Sequence, residues 1–212
     1  MCKWTMPVLV VGLASAAFMV GHEFKSPHIA LAAQPQDTGK APQGKMPPEM
    51  EAMMKQMQPG PEHKVLDQMV GTWEGEVKMW MSPDQSPMTS KATCKREWVL
   101  DGRWLKEDIT GEWAGKPFKG LGMTGYNTIE DNYESAWFEN MATWMSTSKG
   151  KWDESKKTFT FSGECLDPMT QQKAKMRSVL DKSDPKKETM IGYSTGPDGK
   201  EFKSFEGTFT KK

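Results

Sequence analysis

The sequence predicts an all-β fold, an antiparallel up-and-down β-barrel of about ten strands preceded by short N-terminal helices. Three observations predict it. From Trp73 onward, extended stretches follow one another at close spacing, separated by Gly, Pro, Asp or Asn, with no segment of helical period between them. Several of these stretches alternate apolar and polar residues, the period of a strand with one face in a core. The links are short enough for direct hairpins, which favours a closing meander over Greek-key crossings.

The chain has 212 residues with 28 basic and 28 acidic side chains. A zero net charge argues against a bulk nucleic-acid binder, which carries a basic excess. Residues 1–32 have the layout of a secretory signal peptide. A weakly basic start precedes the uncharged run PVLVVGLASAAFMVG, and Ala30-Leu31-Ala32 is a small-residue cleavage site. The apolar run is short for a membrane span of about 20 residues. The expected product is a secreted protein of the bacterial periplasm, with no stable span after cleavage. Retention as an N-terminal anchor is the competing reading. Removal of residues 1–32 leaves one histidine, His63, and two cysteines, Cys94 and Cys165, too few for a His- or Cys-rich zinc site.

Residues 33–48 are rich in Pro, Gly and Gln and are expected to form a disordered linker. Residues 49–70 are expected to hold short helices. In the first, Met50, Met53, Met54 and Met57 share one face. That stripe is expected to pack on the domain as an adaptable apolar face; the other reading is a thioether copper(I) site. In the second, Pro61 suits a first helical position, Val65, Leu66, Met69 and Val70 form the apolar face, and Gly71 ends the helix. A lone His63 reads as a surface or packing residue.

The barrel domain is expected over residues 71–212, with strands near 73–80, 88–100, 103–113, 117–126, 132–139, 142–149, 157–165, 173–181, 187–194 and 202–210. One hairpin can be solved outright. Asp101-Gly102 favours a two-residue type I′ turn, which sets Leu100 opposite Arg103. The solvent face then pairs Glu97 with Lys106, Lys95 with Asp108, and Lys91 with Glu112, all of opposite sign. The interior face pairs Trp98 with Leu105, Cys94 with Ile109, and Arg96 with Glu107. A buried ion couple costs several kcal/mol per ion before pairing offsets it, and a water-containing lumen would relieve that cost. The couple is therefore either an inert internal pair or a polar anchor at the floor of a ligand cavity. Further strands place Phe159, Phe161 and Cys165, then Met176, then Phe205 on interior faces. Many other interior positions are small, and a barrel of eight or more strands has room for a small ligand. The Gly-rich stretch from Phe118 to Tyr126 lacks the Gly-Lys-Ser/Thr of a phosphate loop. Cys94 and Cys165 fall on different walls and are expected to be two buried free thiols.

Pro59-Gly60-Pro61-Glu62-His63 leading into Gly71-Thr72-Trp73, then Leu100-Asp101-Gly102-Arg103-Trp104-Leu105, Gly120-Leu121-Gly122-Met123-Thr124-Gly125-Tyr126-Asn127, Trp137 and Pro197-Asp198-Gly199-Lys200-Glu201-Phe202 form a combination. It resembles the bacterial "domain of unknown function 1579" family over about residues 58–212. More loosely, the chain is similar to calycin-like barrels: the lipocalins, fatty-acid-binding proteins and nitrobindin-type haem barrels. The first resemblance implies a fold and no activity. The haem-barrel likeness implies an axial His on a late strand, yet no His follows His63. No cofactor and no metal are assigned.

The functional expectation is a lipocalin-like barrel holding a small apolar or amphipathic molecule in its lumen. Its lining would comprise Trp98, Leu105, Ile109, Phe159, Phe161, Met176 and Phe205, with Arg96 and Glu107 as polar anchors. The alternative is a packed structural or interaction barrel without a ligand. An enzyme using Glu107 as base and Arg96 as charge stabiliser is a third reading. No catalytic residue is assigned, because no nucleophile–base pair or metal cluster is visible in the sequence.

Overall fold

The computed structural model describes residues 46–167, 171–196 and 198–212. The signal-peptide reading and most of the linker lie outside the described residues. Two helices, α1 (Pro48–Gln56) and α2 (Pro61–Val65), and a 3-10 turn (Leu66–Met69) precede ten strands. These are β1 (Gly71–Met79), β2 (Met88–Val99), β3 (Trp104–Trp113), β4 (Lys116–Asn127), β5 (Asn132–Glu139), β6 (Ser146–Asp153), β7 (Thr158–Leu166), β8 (Lys173–Asp181), β9 (Lys187–Thr195) and β10 (Glu201–Lys211). Each strand pairs antiparallel with the next, and β1 pairs with β10, so the sheet closes on itself. Closure leaves no sheet edge to template aggregation.

The Asp101-Gly102 turn forms as its sequence dictates. Asp101 and Gly102 have φ of 55° and 78°, and Arg96 pairs with Glu107 and Trp98 with Leu105. The outer charges depart from the expected cross-strand pairs. Lys106 does reach Glu97, but it sits closer to Asp108 on its own strand, and Lys95 turns to Glu97 at 2.8 Å. Long side chains on an exposed face choose among neighbours separated by only tenths of a kcal/mol. The sixth strand is also shifted, from the expected 142–149 to Ser146–Asp153. Trp144 and Met145 misled the pattern: they are exposed in the preceding loop. The strand itself is the Ser, Lys and Gly run that follows, whose inner residues are small up to Trp152, which packs on Phe159.

One end of the barrel is plugged. Leu66 and Met69 of the 3-10 turn are buried against Leu105, Tyr133, Phe159 and Leu180 from four strands. Indole and phenol groups fasten the plug to the rim. Trp73 Nε1 donates to Met69 O at 2.8 Å, Trp98 Nε1 to Asp67 Oδ1 at 2.7 Å, and Tyr133 Oη to Glu62 O at 2.9 Å. His63 is buried edge-on against Tyr126, and its Nδ1 accepts the Gly60 N–H, which otherwise would be an unpaired helix-terminal donor. His63 is thus a packing residue.

Because this end is already filled, α1 finds no apolar surface to cover. The Met stripe does not pack on the barrel: Met50, Met53, Met54 and Met57 are all exposed, and α1 buries no residue. Among the described residues, Cys94 and Cys165 are unbridged. Only Cys94 is fully buried; Cys165 is half-buried near the unplugged end, beside Ala174, because small neighbours leave it reachable.

Two outcomes follow from this frame. At Gly75 on the closing seam, an added Cβ would stand 2.0 Å from Thr208 O, a backbone atom that cannot yield. Gly75→Ala is expected to cost more than about 2 kcal/mol in denaturant melts, against a few tenths for Gly→Ala at an open strand site. Burial lowers the pKa of His63, opposed by Glu62 and reinforced by Arg103. The unfolded chain therefore takes up a proton at higher pH than the fold, and stability falls as pH drops below about 6.5. His63→Gln, measured by urea midpoints at about pH 7.5 and 5.5, should flatten that part of the pH dependence.

Candidate functional site

Beside the plug, four charged side chains run across the inner wall. Lys182 Nζ, just past β8, donates to Glu188 Oε2 of β9 at 3.0 Å. Glu188 Oε1 accepts from Arg96 Nη1 of β2 at 2.7 Å, and Arg96 Nε donates to Glu107 Oε2 of β3. In wall order these strands are β8, β9, β10, β1, β2 and β3, so the ladder bridges the β1–β10 seam on the inside. It rests on the Trp73 indole. Lys182 Nζ is 3.8 Å from that ring's centroid and Arg96 Cζ 5.9 Å. Cations over an indole face gain further stabilisation where water is excluded.

Burial and charge set the protonation of the ladder. Desolvation alone would lower the pKa of Arg96, but Glu107 and Glu188 together outweigh it and raise it. Burial prevails at Lys182 and lowers its pKa despite Glu188. The Cys94 thiol beside the ladder is pushed well up, by burial first and then by Glu107, so it is held as a thiol. Arg96 is spent on two carboxylates and its side chain is only 6% exposed. Glu188 is sealed at 1%, whereas Glu107 keeps 24% exposure despite pointing inward. Glu107 is therefore the one member of the ladder that is not buried.

The structure sorts the expected lining into two groups. All nine residues point inward, but Leu105 and Phe159 are buried in the plug core, and Trp98 and Phe161 pack against that core. Ile109, Met176 and Phe205 lie farther toward the unplugged end and are half-buried, Ile109 and Phe205 against a second buried cluster around Trp73 and Val77. Arg96 belongs to the ladder and is not presented to the lumen.

Residues the sequence reading did not assign complete the picture. One wall, from β10 through β1 and β2 to β3, is apolar: Phe205, Val77, Ala92 and Ile109. The facing wall, from β4 to β9, carries hydroxyls inward. Thr124 Oγ1 and Ser135 Oγ are 3.3 Å apart, Ser148 and Ser178 stand opposite glycine or phenylalanine, and Ser194 Oγ meets Ser204 Oγ at 3.0 Å. Trp137 lies over Gly120, where an added Cβ would be 2.3 Å from its ring. Glu107 Oε1 lies 3.6 Å from the corresponding point on Gly122, so these two glycines admit both the indole and the carboxylate. The signal for the hydroxyl wall was the alternation of β5, β6, β8 and β9 read on the opposite parity to their outward charges.

Outside the lumen, two clefts flank the plug. One of about 330 Å³ lies between α2, Tyr126, Asn132 and Trp152. The other, about 450 Å³, is lined by Lys64, Gln68, Lys157 and Lys211. Among the described residues no group of three or more His, Cys, Asp or Glu is placed to hold a metal ion. No helix among them is long and apolar enough to cross a membrane.

The ladder's energetic weight is testable. Glu188→Ala leaves Arg96 and Lys182 buried without their shared partner and should cost about 3–5 kcal/mol. Lys106→Ala on the exposed face of the same barrel should cost under about 1 kcal/mol. Chemical denaturation of the two variants makes the comparison.

Comparison with known proteins agrees with this architecture. No curated protein matches the chain. Among solved structures, the crystal structure of Rv2717c from M. tuberculosis superposes with a TM-score of 0.54 at 11% identity, covering 73% of this chain and 99% of that one. At that identity the likeness concerns the fold. The model of the family described as "Protein of unknown function (DUF1579)" matches residues 58–211, the plug and the whole barrel, and the chain belongs to that family.

Proposed function

We propose that this barrel is a carrier or sensor that holds one small amphipathic molecule in the lumen above the charge ladder. The observation that carries the reading is the 24% exposure of inward-pointing Glu107 in a closed barrel plugged at the near end. Space that admits water to a carboxylate at mid-barrel is space a ligand can use. The lining fits the chemistry of such sites, which are mostly apolar with a few convergent polar groups. Here the apolar side is Val77, Ile109 and Phe205, and the polar side is the serine wall with Glu107.

The unplugged end suits entry of an apolar molecule. Its loops and strand ends carry exposed Met81, Met141, Trp144, Met145 and Leu166, which would shield an apolar chain from water during transfer. The leader-like residues 1–32 support placing this carrier outside the cytoplasm, in the periplasm.

A neutral apolar fluorophore, N-phenyl-naphthylamine, tests the reading. Saturable one-to-one binding is expected, abolished by Ser178→Trp, which fills the lumen beside Phe161 and Gly192, while the variant keeps the parent's circular dichroism and cooperative melt. Absence of saturation, or binding unchanged by Ser178→Trp, would favour a packed interaction barrel.

A further inference from the structure

We propose that Glu107 makes the lumen selective for ligands whose polar end is a neutral hydrogen-bond donor, a hydroxyl group on an apolar body, and excludes carboxylates. This inference rests on the lumen-binding reading and names the ligand class for it.

The ladder is used up within itself. Its two cations, Arg96 and Lys182, face two carboxylates, so the cluster as a whole carries no net charge. Arg96 directs Nε at Glu107 and Nη1 at Glu188, and its side chain is 6% exposed. Lys182 Nζ is fully sealed between Glu188 and the Trp73 ring. Neither cation can reach into the lumen to receive an anion. What the lumen meets is the other partner of the pair. Glu107 commits Oε2 to Arg96, while Oε1 lies beside Gly122, whose missing side chain makes room for the carboxylate and the Trp137 ring, and the Glu107 side chain keeps 24% exposure. A carboxylate is an acceptor with about four lone-pair positions, of which Arg96 and the weakly donating Cys94 thiol occupy a part.

The floor of the lumen is thus an acceptor without a free cation beside it. A ligand carboxylate placed there would face a like charge and find no free cation. A quaternary ammonium finds a negative atom but brings no N–H, and Arg96 behind Glu107 opposes its charge. A hydroxyl donates to Oε1 and can accept in turn from the serine wall, where Ser178 and Ser135 face inward at neighbouring levels. An unmet hydrogen bond at a desolvated group is the strongest discriminator that such pockets possess.

Displacement of N-phenyl-naphthylamine from the intact protein by n-dodecanol, dodecanoate and dodecyltrimethylammonium, matched in chain length, tests the inference. Half-displacement by dodecanol is expected at a concentration about tenfold or more below that of either ion. In Glu107→Gln, which keeps an acceptor for Arg96 but removes the charge, dodecanoate should improve by about tenfold while dodecanol changes by less than about threefold. Dodecanoate matching or beating dodecanol on the parent protein overturns the inference, and so does a fluorophore that binds but yields to none of the three. Failure of the fluorophore itself to bind overturns instead the lumen reading beneath it.

Discussion

Arg96 is the residue on which the barrel turns. Its guanidinium crosses the inner face of the seam and joins β3 to β9 through two carboxylates, and Lys182 extends the contact to β8. Three buried charges, Arg96, Glu188 and Lys182, placed singly would each cost several kcal/mol, and only their alternation, with Glu107 at one end, makes the arrangement tolerable. That requirement fixes positions narrowly. Glu107 must lie opposite Arg96 in register, Glu188 must stand at the first inward position of β9, and Trp73 must lie beneath both cations. A one-residue slip on any of these strands would turn its charge outward and leave the others unpaired.

The interior changes along the barrel. Toward the plug, Leu66, Leu105, Phe159 and Leu180 are close-packed with aromatic rings meeting edge to face, Tyr133 and Phe159 among them at 5.1 Å. Toward the open end small and hydroxylated inward residues mix with Ile109, Trp137, Met176 and Phe205, and several remain half-buried in the middle of their strands. A barrel of ten strands is too wide for glycine and serine to fill. The same positions could have carried leucine and phenylalanine, as the plug side does. Gly120 and Gly192 instead give their space to Trp137 and Phe205, while Ser148 and Ser178 stay half-buried on the facing wall.

Much of this was legible in the sequence where two local rules agreed. The Asp-Gly turn and the alternation around it together fix the β2–β3 register, and with it the meeting of Arg96 and Glu107. Glu188 and Lys182 were not legible: they join Arg96 across the seam, and no local pattern reports which strands a closed barrel brings together. β6 was displaced because hydrophobicity near Trp144 outweighed the plainer run of small residues that forms the strand. The Met stripe of α1 has the period of a packed helix, but period shows only that a face is apolar, not that a partner surface is vacant. Leu105 and Phe159 share the parity of Ile109 and Phe161, and only the plug, a tertiary feature, separates core from lumen.

The central claim is that a dry, packed end gives way, toward the mouth, to a solvent-entered lumen. Adjacent inward positions of β8 test it directly, because Leu180 is buried under the plug and Ser178 lies one inward step toward the mouth. Ser178→Cys and Leu180→Cys would be made in protein whose native cysteines are replaced, then exposed to a small methanethiosulfonate reagent under native conditions. The account predicts rapid labelling at 178 and protection at 180 until the protein is unfolded. Equal protection at both positions would mean a barrel packed throughout, and would contradict it.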